Sequence, residues 1–337
     1  MSGLKAWKSP TILIMVALVL SLGIALPATV LADWGTDPST NMPVVTANDT
    51  QSSHRIISDG SGGFFAVWHD YRNRATTKRD IYAQRFDAEG NPLWGANGVP
   101  VCTADGTQVC PKICLDGSGG CIISWEGSRG SYDRIYVQRL NGDGGSQWAA
   151  NGVMASTSFP DQSQYCPWII SDGQGGAIVS WRDSGIYLQR LSSSGARLWG
   201  NYVTISSSGY GKWGQKLIPD SQGGAIITWV DSRETTADDI YVQRVNSSGN
   251  ELWGAGDVVV CDAPDGRGCP RIIPASDGAI VMWQDWRDGS NYQIFAQKIS
   301  SGGTPQWTDD GVCVFSGYSY GCEHGIASDG ADGAIIT

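Results

Sequence analysis

From Trp34 to Thr337, short apolar runs alternate with polar, glycine-rich breaks, and the alternation itself repeats. The clearest copy runs from Ile170 to Trp181. Versions of it occur at Ile57 to Trp68, Cys114 to Trp125, Ile218 to Trp229, in a one-residue-shorter form ending at Trp283, and from Ala327 to Thr337. No run has helical spacing; each is rich in Ile, Val, Tyr and Trp and bounded by Gly, Asp, Ser or Asn, which is the pattern of strands and turns. The fourth unit shows four strand signals: Lys216 to Pro219, Gly224 to Trp229, Asp239 to Val245, and Glu251 through Trp253 towards Val258-Val259-Val260. The first two are joined by D-G-x-G-G, as at Asp116 to Gly120, where glycine supplies the positive φ of a tight hairpin. The second strand, Ala177 to Trp181, is apolar on both faces, as a sheet covered on both sides requires.

The marker tryptophans Trp94, Trp148, Trp199, Trp253 and Trp307 lie 54, 51, 54 and 54 residues apart, with no linker at which to divide the chain. Four antiparallel strands at that period, without helices, predict an all-β fold, a β-propeller. Five repeats are complete and a sixth is cut short, so six to eight blades are expected in the intact protein. The segment Trp34 to Val45 has the form of an outer strand that would complete the last blade and close the ring. A β-sandwich or solenoid is the rival architecture.

The succession D-G-x-G-G-A-I-V-x-W, W-x-D-x-R, D-I-Y-x-Q-R and L-W-G resembles the tandem β-propeller-type repeats of secreted bacterial and archaeal surface proteins. The resemblance covers Trp34 to Thr337. It implies a repeat class and an extracellular setting but no particular activity, since most relatives have none assigned.

Residues 1–32 read as a secretory signal peptide, with Lys5 and Lys8 in front, an apolar run from Ile12 to Leu26, and Val30 and Ala32 spaced as a cleavage site. Residues 33–337 then form the propeller domain, secreted or on the cell surface, with no membrane span after cleavage. The net charge is −10, and loss of the two leader lysines makes it more negative. An acidic chain without a basic cluster is not expected to bind nucleic acid.

Nine cysteines in an exported chain should be mostly paired. Three loop staples are expected, Cys102 with Cys110, Cys261 with Cys269, and Cys313 with Cys322, because the pairs recur at similar places in the repeat. Cys114 and Cys121 flank a hairpin and read equally as a bridge or as buried thiols; Cys166 is the odd one. No CxxC pair supports a metal, and no cofactor is implied.

Asp70, Asp183, Asp231 and Asp285 belong to the W-x-D-x-R motif and read as structural, each capping its own turn or pairing with an arginine of the Q-R strand. The glutamines of that strand, Gln84, Gln138, Gln189, Gln243 and Gln297, are expected to satisfy backbone groups between blades. Trp168, Trp213 and Trp286 fall outside the repeat and, with Tyr71, are the ligand candidates, expected on one face. No Ser-His-Asp set, G-x-S-x-G elbow or H-E-x-x-H helix is present. These features favour an exported, non-enzymatic repeat protein presenting a propeller face to a glycan or a surface protein. A secreted propeller glycoside hydrolase or sialidase-like enzyme is the alternative, and a structural envelope component is another.

Overall fold

The computed structural model describes residues 42–156, 162–207, 211–233, 237–254, 256–289, 291–317, 322 and 324–337. Five four-stranded antiparallel sheets follow one another, each made of four consecutive strands, and a two-stranded sheet follows them. This is a β-propeller. The first strands of the blades, Gln51–Ser58, Thr107–Leu115, Tyr165–Ser171, Trp213–Pro219 and Arg267–Ala275, pack against one another in succession and so surround the propeller axis. Ile326–Ser328 and Ala334–Ile336 begin a sixth blade in the same sense.

In the fourth blade the strands are Trp213–Pro219, Ala225–Asp231, Asp239–Val245 and Val258–Cys261. The expected strands are therefore present. The L-W-G segment, however, is a turn held by a single bridge between Val245 and Glu251, and the outer strand begins after it. Of the segment Trp34 to Val45, residues 34–41 lie outside the described residues; Val44 and Val45 pack on Phe64, Ala66, Trp68, Tyr82 and Phe86 of the first blade.

One polar construction joins the blades. The aspartate of each D-G-x-G-G hairpin accepts two backbone N–H bonds from its own turn, for Asp172 from Gln174 and Gly176 at 2.8 Å each. Its other oxygen pairs with the arginine of the Q-R strand: Asp59 with Arg85, Asp116 with Arg139, Asp172 with Arg190 and Asp220 with Arg244, at 2.9 to 3.1 Å. That arginine then reaches the next blade, where Arg139 donates to the carbonyl of Ser193, Arg190 to Ser247 and Arg244 to Ser301. The same three carbonyls accept the indole N–H of Trp148, Trp199 and Trp253. Beneath each of those indoles the next blade supplies a glycine with φ near +80°, Gly195, Gly249 or Gly303; a Cβ on any of them would come within about 3 Å of the ring.

The glutamines act within their own blade. Gln138 accepts from the N–H groups of Arg139 and Trp148 and donates to Ala149. The expectation that they bridge blades is corrected, since arginine and tryptophan do so. In W-x-D-x-R the aspartate is bound by its own motif: Asp70, Asp231 and Asp285 accept from the indoles of Trp68, Trp229 and Trp283 and pair with Arg72, Arg233 and Arg287. Burial pushes these three carboxyls up, but the arginine and indole hydrogen bonds outweigh it and hold them below the usual range. Asp183 caps its turn through the N–H of Gly185.

The three loop staples do not form. A disulfide joins Cys269 to Cys322, with Cα atoms 5.5 Å apart, linking the fifth blade to the sixth, while Cys102, Cys110, Cys261 and Cys313 are free. The reason is geometric. Cys102 and Cys261 end the outermost strands, buried, where their Sγ atoms meet Arg129 and Arg287. Cys110 and Cys269 stand on innermost strands at the axis, and a bridged pair needs Cα atoms within about 7 Å. Cys313 lies earlier in its strand than Cys261 does, so the apparent self-alignment was false. Cys114, Cys121 and Cys166 are free thiols.

Two outcomes follow from these contacts. Arg190→Met leaves the buried Asp172 without its cation and should lower stability in urea by about 3 kcal/mol, whereas loss of the charge at exposed Arg197 should leave the midpoint in place. Non-reducing peptide maps should recover Cys269 with Cys322. Opening this link, which spans 53 residues, by Cys322→Ser removes on the order of 4 kcal/mol in a chain-entropy treatment; a map pairing Cys261 with Cys269 would refute the assignment.

Candidate axial site

Each innermost strand carries a bulge at one equivalent place, where its register against the second strand shifts. The residue there has a positive φ in all five blades: Ser53 (54°), Cys110 (55°), Cys166 (53°), Gly214 (71°) and Cys269 (53°). Four of the five are not glycine, so each holds a conformation costing on the order of 1 to 3 kcal/mol that the surrounding sheet must impose. A bulge re-aims the side chains beside it. Two residues further on come Arg55, Lys112, Trp168, Lys216 and Arg271, and all five line one axial cavity of about 560 Å³. An acidic protein thus gathers cations at its axis.

Trp168 sits between two of them, with the Lys216 ammonium 4.6 Å and the Lys112 ammonium 6.0 Å from its ring centroid. Arg182 adds a fifth positive charge to the wall. The polar contacts of the ring are backbone carbonyls: Lys216 donates to Gly214 and Gln215, Lys112 to Pro111, Arg55 to His54, and Arg271 to Pro270 and Cys322. Among the described residues none of these five cations forms an ion pair, although Arg85, Arg139, Arg190 and Arg244 all do. Burial, with the charges of Arg271, Lys112 and Arg55, pulls the Lys216 ammonium down to about 7. Lys112 is lowered by burial and by the charge of Arg55, against the opposing pull of Cys110, Cys166 and Glu126.

Glu126, on the second strand of the second blade, is buried directly behind the cavity wall. It accepts the N–H of Cys166 at 2.7 Å. Burial pushes its carboxyl up and Asp133 adds to this; the Cys166 N–H, the Cys110 thiol and Lys112 oppose the shift without cancelling it.

Of the four expected ligand residues, Trp168 and Trp213 line the axial cavity, and Trp213 and Trp286 line a neighbouring one of about 600 Å³. Trp213 stands between the two, its ring over Gly268 of the next blade. Trp286 meets Tyr292 edge-on at 4.6 Å. Tyr71 belongs to neither cavity; it packs by His69 and under Arg79. Sequence reasoning missed the cation ring and Glu126. The signal was present in the triplets Cys110-Pro111-Lys112, Cys166-Pro167-Trp168 and Cys269-Pro270-Arg271, whose cysteines instead drew attention to pairing.

No protein-family model matches the chain, and no curated protein matches it. Among solved structures it resembles an α-L-arabinofuranosidase from Lactobacillus brevis, at 12% identity and a TM-score of 0.43 over 80% of this chain and 96% of that one. It also resembles a thermostable family-43 glycoside hydrolase, at 10% identity and 0.41 over 78% and 94%. A third is an α-L-arabinofuranosidase from Clostridium thermocellum, at 13% identity and 0.41 over 77% and 93%. These neighbours are named as enzymes that act on glycosides, and the expectation of a non-enzymatic presenting protein is corrected in favour of its hydrolase alternative. Likeness of this degree assigns no activity to the chain.

The lowered Lys216 has a measurable consequence. Between about 7 and the ordinary 10.5 the unfolded chain carries a proton that the folded chain lacks, so stability rises with pH in this window and the penalty is complete below it. Wild type should gain stability relative to Lys216→Met as pH rises from about 6 to about 9.5 in paired denaturation curves. A flat difference would place that ammonium in water.

Proposed function

We propose that this chain is an exported propeller enzyme of the tandem-repeat surface class, cleaving glycosidic bonds of a saccharide bound in the axial cavity. The observation that carries the reading is that Trp168 and Trp213 line the cavity while the buried carboxyl of Glu126 lies behind its wall, bonded to the N–H of the lining residue Cys166. Aromatic rings stack on the apolar faces of sugars, and a cavity of this size encloses one or two sugar rings. A carboxyl raised by burial keeps its proton to higher pH than a free one; it can give that proton to the departing glycosidic oxygen while water adds to the other fragment, and the proton the water sheds restores the carboxyl. The Cys166 N–H and the Cys110 thiol hold that carboxyl in one orientation. Trp213, shared with the second cavity, offers a path by which a longer chain would continue towards Trp286 and Tyr292.

Release of reducing ends from a panel of plant and microbial oligosaccharides tests this. Glu126→Gln, which keeps an acceptor for Cys166 but has no proton to give, should lower kcat by at least about 100-fold with Tm preserved, and Trp168→Ala should raise KM. Absence of turnover on every glycan, or full turnover by Glu126→Gln, would refute the proposal.

A further inference from the structure

We infer that the axial cavity is built for an acidic saccharide, one carrying a carboxylate or sulfate on the sugar ring, whose oxyanion sits among Lys112, Lys216 and Arg271. This rests on the reading of the cavity as the saccharide site and names the class of sugar. Three observations converge. The repeat places Arg55, Lys112, Lys216 and Arg271 at one equivalent position and turns all four into a single cavity, with Arg182 beside them. In the rest of the propeller, by contrast, the arginines of the Q-R and W-x-D-x-R motifs are matched to carboxylates.

Among the described residues the axial cations are held by backbone carbonyls alone, and none of those lining the cavity is a carboxylate. Like charges crowded into a partly desolvated space repel one another, and an anion entering from solvent relieves that repulsion as it binds. The third observation is Trp168, whose face the two lysines flank. A ring stacked on this indole would present a substituent at its edge to both ammonium groups. A neutral sugar would leave them uncompensated, so the site discriminates by charge as well as by shape.

Lys216 also ties affinity to pH. Burial and the charges of Arg271, Lys112 and Arg55 disfavour its protonated form, with Cys166 opposing them, until an anion arrives. Binding of an anion should draw a proton onto it near neutrality, and affinity should fall as pH rises through about 7.

The test is titration of the intact protein, followed by indole fluorescence and calorimetry, with a trigalacturonate, a sulfated trisaccharide and a neutral trisaccharide of matched length. The acidic sugars should bind at least about tenfold tighter than the neutral one, the preference shrinking with salt and with rising pH. Lys216→Met and Lys112→Met, which keep the apolar stem, should each weaken the acidic sugars several-fold more than the neutral one; the double variant should abolish the preference. Stronger binding of trigalacturonate or of the sulfated sugar identifies which oxyanion fits. Equal binding of acidic and neutral sugars, with Trp168→Ala weakening both, overturns this inference and leaves the saccharide site standing. Failure of all three to bind overturns both readings.

Discussion

The propeller depends on a buried ion pair with a second task. In each complete joint a hairpin aspartate, almost fully enclosed, holds an arginine whose free N–H crosses to the next blade's turn. A buried carboxylate with no cation would be costly, and a buried pair by itself stabilises little. The gain comes from what the pair organises. Arginine and indole N–H groups converge on one carbonyl, and the glycine below the indole lets two blades approach within van der Waals distance. Every term fails together if one member is lost, so the joint is cooperative and fixes the angle at which the next blade begins.

That fixed angle determines the axis. Because each blade meets the next through the same contact, the same residue of each innermost strand arrives at the centre, and the bulges with positive φ recur there. The strain of four non-glycine residues in the left-handed region is carried by the sheets around them. What they present differs from blade to blade, arginine, lysine, tryptophan, lysine and arginine, on an otherwise constant frame. Variation at a constant position is what a binding site made from a repeat requires, whereas the joint residues change little because all of the joints solve the same problem.

The two uses of charge in the molecule are opposites. In W-x-D-x-R each arginine is matched to its aspartate within hydrogen-bonding distance, so the Asp70, Asp231 and Asp285 carboxyls fall below their usual range. At the axis the cations are matched to no carboxylate among the described residues, and Lys216 falls to about 7 instead. Polar groups that maintain a fold are satisfied within it, while groups that receive a ligand are left for the ligand to satisfy.

Period, strand content and the all-β character of the described residues were legible in the chain because hydrophobic alternation and turn glycines are local properties, set within a few residues. For Asp70, Asp231 and Asp285 the sequence left open their own turn or an arginine of the Q-R strand; the arginine partners are Arg72, Arg233 and Arg287, two residues away, while the Q-R arginines go to the hairpin aspartates. Pairing of the cysteines was not legible: Cys102 and Cys110 are near in sequence but stand at the rim and at the axis, while Cys269 and Cys322 are 53 apart and adjacent. Nor was the site. Arg55, Lys112, Trp168, Lys216 and Arg271 are single residues in five units, and nothing local distinguishes a lysine bound for the axis from one bound for solvent. Only the stacking of blades, which brings equivalent positions of distant repeats into one cavity partly shielded from solvent, turns them into a common field and sets Glu126 behind it.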